Sequence, residues 1–167
     1  IYTGALVVDV DGIAISKDTL SELMVSHKDY FKEHADEYYR VLTDNENARS
    51  FTLELKDDPA TSGTLTLRLM IEPTFNRRVA MIRQTGMKIK DQDRISSFIP
   101  FAGVMFIDGD KINRELRVLE NPEHTEWQVA RADNEIQARA LLKSINDFIR
   151  QRVEALASEG GQEDFDA

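Results

Sequence analysis

Hydrophobic and polar positions along this chain follow two different periods, and the change between them outlines its elements. Phe51, Leu53 and Leu55 alternate with Thr52, Glu54 and Lys56, the period of a half-buried strand. Leu65, Leu67, Leu69 and Ile71 alternate again around Thr66, Arg68 and Met70. Pro73 ends that run, because proline has no N–H to give a ladder. Residues 78–83 form a third run carrying Val79, Met81 and Ile82. Three strands joined by short links predict an antiparallel meander. Residues 99–107, with Phe101, Val104 and Phe106, read as a strongly apolar strand. Near the start, residues 5–10 and 13–15 read as two strands around an Asp11-Gly12 turn.

The helical period occurs in four places. Ser16 or Asp18 is placed to cap a helix carrying Leu20, Leu23 and Met24, since either side chain can accept from a free backbone N–H. A second helix is predicted over 29–42, with Tyr30, Phe31, Tyr38 and Val41 on one side. Asp108-Gly109-Asp110 turns the chain into a third over 111–119, with Ile112, Leu116 and Leu119 inward, and Asn121-Pro122 stops it. The longest helix starts at an Asp133 cap and ends near Leu156. Its Ile136, Leu141, Ile145, Phe148, Ile149, Val153 and Leu156 recur every three to four residues. Residues 84–98 show neither period and read as a loop.

These elements predict an α+β fold: an antiparallel or mixed sheet of four to five strands with helices packed on one face. The 167 residues fit one domain over 1–156. Residues 157–167, with four acids and no base, read as a flexible tail or linker. The absence of cysteine excludes a disulfide scaffold, a thiolate metal site and a cysteine nucleophile, and fits a cytoplasmic protein. No apolar run is long enough to span a bilayer, so no membrane association is expected.

Charge narrows the function. The formal net charge of -9 argues against a general nucleic-acid binder. The charge is unevenly spread, however. Residues 1–60 hold 13 acids and 6 bases, whereas 77–94 hold six bases (Arg77, Arg78, Arg83, Lys88, Lys90 and Arg94) against Asp91 and Asp93. A basic loop of this kind can converge donors on an anion, and Gln84, Thr85 and Gly86 add side-chain and backbone donors beside it. The competing explanation is a solvated surface whose bases pair with nearby acids. Nucleic acid stays open for this patch alone.

Other candidate chemistry is weaker. Val8-Asp9-Val10-Asp11-Gly12 resembles the DxDG signature of magnesium-dependent haloacid-dehalogenase phosphatases, with Asp9 as nucleophile and Asp11 as acid/base. Ile13 departs from that pattern, and a strand followed by a DG turn gives the same letters. Glu54-Leu55-Lys56 matches the E-x-K of metal-dependent nucleases but lacks a partner Asp on a neighbouring strand. His27, His34 and His124 form no metal-binding spacing. His124 sits among Glu120, Glu123 and Glu126, which could clasp a metal, although a histidine so placed more often simply hydrogen-bonds in a turn. Trp127 is expected to anchor residues 121–131 to the core.

Two stretches carry a family resemblance. Arg77-Arg78-Val79-Ala80-Met81-Ile82-Arg83-Gln84-Thr85-Gly86-Met87-Lys88-Ile89 resembles a segment of bacterial ATP-binding proteins with a histidine-kinase-like (GHKL) ATPase domain. Phe101-Ala102-Gly103-Val104, then Leu119-Glu120-Asn121-Pro122-Glu123-His124-Thr125-Glu126-Trp127 and Arg131, is similar to the next stretch of those proteins. The resemblance covers roughly residues 64–150, and some such proteins lie in gene neighbourhoods that look like phage defence. It implies that the chain is a transducer-like module after an upstream nucleotide-binding domain, with a ribosomal-protein-like sheet and helices. ATP and magnesium would be bound mainly by that upstream domain, and the fragment itself would hold no cofactor and be non-catalytic. Gln84-Thr85-Gly86-Met87-Lys88 resembles the gyrase Q-T-K loop with two residues inserted, leaving Lys88 and Lys90 as alternative phosphate sensors. Arg83, Gln84, Thr85 and Gly86 complete that expected site. A homodimer, or a protein or nucleic-acid partner at 77–94, is the further expectation.

Overall fold

A computed structural model describes residues 3–27, 34–56, 61–93 and 95–163, with side chains described as far as residue 159. Its architecture is α+β. Strands β1 (Val8–Val10) and β2 (Ile13–Ile15) make a small hairpin that leads into α1 (Lys17–Ser26). Then come α2 (Ala35–Thr43), β3 (Arg49–Leu55), β4 (Gly63–Ile71), β5 (Arg78–Arg83), β6 (Lys88–Gln92) and β7 (Phe101–Asp108). Helix α3 (Asp110–Leu119), a single 3-10 turn (Val129–Arg131) and α4 (Glu135–Glu163) complete the chain.

The main sheet is mixed, in the order β3-β4-β7-β5-β6. The expected meander therefore holds only for β3 and β4. Between β4 and β5 lies β7, antiparallel to β4 and parallel to β5. The reason is burial. Seven of the eight β7 residues are buried or half-buried on two opposite faces, so this strand belongs in the middle, where both faces are covered. Gly103 makes the central position possible, because a Cβ there would meet Leu69 Cδ2 at 2.6 Å and Val79 Cγ2 at 3.1 Å.

Each face of the sheet has its own core. Leu65, Leu67, Leu69, Val79, Met81, Met105 and Ile107 pack under α3 and α4. Met70, Ala80, Ala102 and Val104 pack under α2, through Tyr38 and Val41. Helices thus cover both faces, not the single face expected from the sequence. Arg68 of β4 donates to the backbone carbonyls of Val41 and Asp44, which closes the C-terminal end of α2 and fixes it to the sheet.

Several boundaries differ from expectation. Ser16 caps α1 in a reciprocal pair with Thr19. The first part of the expected second helix, including Tyr30 and Phe31, falls outside the described residues. Asn134, rather than Asp133, caps α4: its Oδ1 accepts from Gln137 N at 3.2 Å. Ile136, expected inward, is 83% exposed, because the core stripe starts at Ala138. Helix α4 also continues seven residues past Leu156. No described helix is long and apolar enough to cross a membrane.

Candidate functional site

Five residues of the stretch expected to be a basic loop form a strand. Residues 88–92 form β6 at the edge of the sheet, so Lys88 and Lys90 sit on a rigid ladder. Residues 84–87 make the turn that joins β5 to β6. Gly86 N donates to Arg83 O at 2.8 Å and Arg83 N to Met87 O at 3.0 Å. Gly86 has φ +84°, the left-handed conformation that a residue without Cβ takes at least cost.

A β-bulge decides where the lysines go. Met81 pairs with Lys90 and Ile82 with Lys88, which leaves Ile89 opposite no residue. Adjacent residues of β5 face opposite sides of the sheet, so their partners do too. Lys90 lies over the Trp127 ring, 5.7 Å from its centroid, on the α3–α4 side. Lys88 goes to the α2 side, 5.8 Å from the Tyr38 ring centroid and 3.1 Å from Asp91 Oδ2. Asp91 Oδ1 also accepts from the Tyr38 hydroxyl at 2.7 Å. Burial first, then that bond and the carboxylate charge, push the Tyr38 hydroxyl far above its ordinary range.

Arg83, at the end of β5, is engaged in a second network. Its guanidinium donates to Glu120 Oε2 at 2.8 Å, and His124 Nδ1 approaches the same oxygen at 2.7 Å. The Glu120 side chain is 2% exposed and that of Arg83 17%. The backbone N–H of Gln84 donates to Asn113 Oδ1 at 3.2 Å. The hairpin is therefore fastened to α3 at its middle and just beyond its end. Glu37, 6% exposed, forms a comparable contact with His34 Nδ1 at 3.2 Å. His34 and His124 both hold positive φ, at 59° and 55°.

A cleft of about 630 Å³ joins these parts, with Arg78, Arg83, Lys88, Lys90, His34 and His124 on its walls. Asp91 and Glu123 supply its acids, so the lining carries a surplus of positive charge. Of the expected site residues, Arg83, Lys88 and Lys90 meet here. Gln84 and Thr85, with Arg83 again, face a second cleft against α3 whose other wall includes Arg114 and Arg117. Gly86 marks the turn, and Arg94 lies outside the described residues. Arg78, part of the basic window at 77–94, also stands on the wall, whereas sequence reasoning did not place the two glutamate-held histidines there. Glu120 and His124, four apart after a helix stop, were the available signal. Nothing local pointed to His34.

The residues of the other candidate motifs make local contacts. Asp9 Oδ1 accepts from Gly12 N at 3.1 Å, closing the β1–β2 turn. Glu54 and Lys56 pair with each other on the exposed side of β3. Among the described residues, no three His, Asp or Glu side chains gather as a group that could hold a metal. Compared with protein families, with curated proteins and with solved structures, the chain matches none.

Proposed function

We propose that this chain is a non-catalytic relay and interaction module of a GHKL-type ATPase, with the β5–β6 hairpin as its input surface. One observation carries the reading. The hairpin turn is held to α3 by Gln84–Asn113, and its last β5 residue is held beyond that helix by Arg83–Glu120. A displacement of the tip is thereby coupled to α3 and, through the Glu120–Trp127 bridge, to the segment before α4. Relays need such discrete, physically connected elements.

In this reading ATP and magnesium belong to the upstream domain, and the hairpin cations answer the charge of the bound nucleotide. Lys88 is the proposed sensor, with Arg83 and Lys90 supporting it. An ammonium interacts more strongly with a triphosphate than with a diphosphate, which makes it a reporter of nucleotide state. To act so, Lys88 would exchange its Asp91 contact for the phosphate. The test is the protein with its upstream ATPase domain. Lys88→Ala lowers ATP turnover roughly tenfold, about 1.4 kcal/mol of barrier. An unchanged rate refutes the sensor role.

A further inference from the structure

Asp91 stands between two cations on the α2 side of the sheet. Lys88 reaches it because of the bulge. Three residues apart in an unbroken strand, the two side chains would face opposite sides, and the extra residue at Ile89 puts both on one. The ammonium is 3.1 Å from Asp91 Oδ2, and the Asp91 side chain is 17% exposed. Asp91 Oδ1 accepts from the Tyr38 hydroxyl at 2.7 Å, so the carboxylate is fixed from α2 as well.

The second cation is Arg78. Asp91 is paired with Ala80, and Arg78 precedes Ala80 by two residues. It therefore shares Ala80's face of β5 and is a diagonal neighbour of Asp91, a separation that a long side chain spans. Both residues line the cleft of about 630 Å³. The Arg78 charge is felt at the Tyr38 hydroxyl, the group that donates to Asp91. Yet Arg78 Nε is a buried donor without a hydrogen-bond partner, and among the described residues no carboxylate pairs with the guanidinium. The other acid near the Tyr38 hydroxyl, Glu37, is taken by His34 and Asn76. Asp93 lines the cleft beside Trp127 instead. A buried donor left unmade is costly, which favours an arrangement that supplies it with an acceptor.

We propose that Asp91 exchanges between two partners: Lys88 holds it in the arrangement described, and Arg78 takes it over when Lys88 turns to a phosphate. Without a second cation, the departure of Lys88 would strand a half-buried carboxylate, the step that makes breaking such a pair expensive. The exchange replaces one ion pair by another and gives the Arg78 guanidinium an acceptor. The Tyr38 hydroxyl keeps its bond to Oδ1 throughout, so the carboxylate moves about a fixed point and the two arrangements are discrete. Arg78 is thus a positioning residue that acts on Lys88 through Asp91. This exchange rests on the reading of Lys88 as the phosphate-facing group, but it is tested with no phosphate present.

Lys88→Met removes the ammonium and keeps an apolar stem. The probe is the Arg78 Nε–H proton resonance in isotope-labelled protein. It moves downfield in Lys88→Met, the direction of a donor gaining a charged acceptor, and Asp91→Asn in the same chain abolishes the move. An Arg78 resonance that stays in place in Lys88→Met overturns the exchange, as does a move that survives Asp91→Asn. Urea midpoints give a second readout. Arg78→Gln combined with Lys88→Met lowers the midpoint by more than the two single shifts together, because neither cation is left for Asp91. Additive shifts overturn the proposal too. Both experiments use this chain alone, so they fail separately from the Lys88→Ala turnover test.

Discussion

Removing the Glu120 carboxylate tests the network that fastens the hairpin to the rest of the fold. The side chain is 2% exposed and serves Arg83 and His124 through one oxygen. Glu120→Ala leaves the Arg83 guanidinium, 17% exposed, without its carboxylate. Breaking a buried ion pair from one side costs about 3–5 kcal/mol. Arg83 keeps some access to water, which places the cost near the lower end, about 3 kcal/mol. His124 is 59% exposed and can be rehydrated, so its lost contact adds no more than about 0.5 kcal/mol. For a domain of this length the midpoint of thermal unfolding then falls by roughly 6–12 °C. Urea unfolding followed by Trp127 fluorescence measures the change, with an unaltered slope against denaturant. The double variant Arg83→Met, Glu120→Leu removes both charges and replaces them with apolar volume. It costs less than about 1 kcal/mol, because no buried charge is left alone. A Glu120→Ala loss below about 1 kcal/mol would refute the reasoning. So would a double variant as unstable as the single one.

Three further outcomes rest on particular packing. Gly103→Ala drives a methyl into Leu69 and Val79 at the centre of the sheet and lowers stability by about 1–3 kcal/mol, measured by thermal unfolding. On α4, Ile145→Ala costs about 2–5 kcal/mol by opening a cavity, whereas Ile136→Ser costs under about 0.5 kcal/mol, and denaturant titration of both separates a core position from an exposed one. Tyr38 keeps its proton in the folded state, so its contribution to stability is complete below the ordinary tyrosine value of about 10 and is lost as pH rises above it. Tyr38→Phe removes that part of the alkaline loss, which urea midpoints on either side of that value detect.

Much of the local structure was legible because its causes are local. Alternation at Phe51–Leu55 and Leu65–Ile71 comes from strands with one face more deeply covered than the other, and Ile112, Leu116 and Leu119 from a helix with one buried stripe. The polarised charge was legible too, since the bases at 77–94 stand close together in sequence. The candidate site was only half readable. Arg83, Lys88 and Lys90 do line one cleft, but His34 reaches it from the start of α2, dozens of residues away.

The chain by itself determined the α+β class, the existence and type of most elements, and a basic surface set in an acidic protein. Tertiary structure decided how the strands are ordered and what each base touches. The physical reason is that strand neighbours are chosen by burial across the whole sheet. The run most apolar on both faces, β7, takes the centre and separates β4 from β5. The same holds for the lysines. Two residues apart in an uninterrupted strand, Lys88 and Lys90 would share a face. The register shift between Met81 and Ile82 sends one to Tyr38 and Asp91 and the other to Trp127. That shift is a property of the pairing between two strands, and no period along one of them contains it.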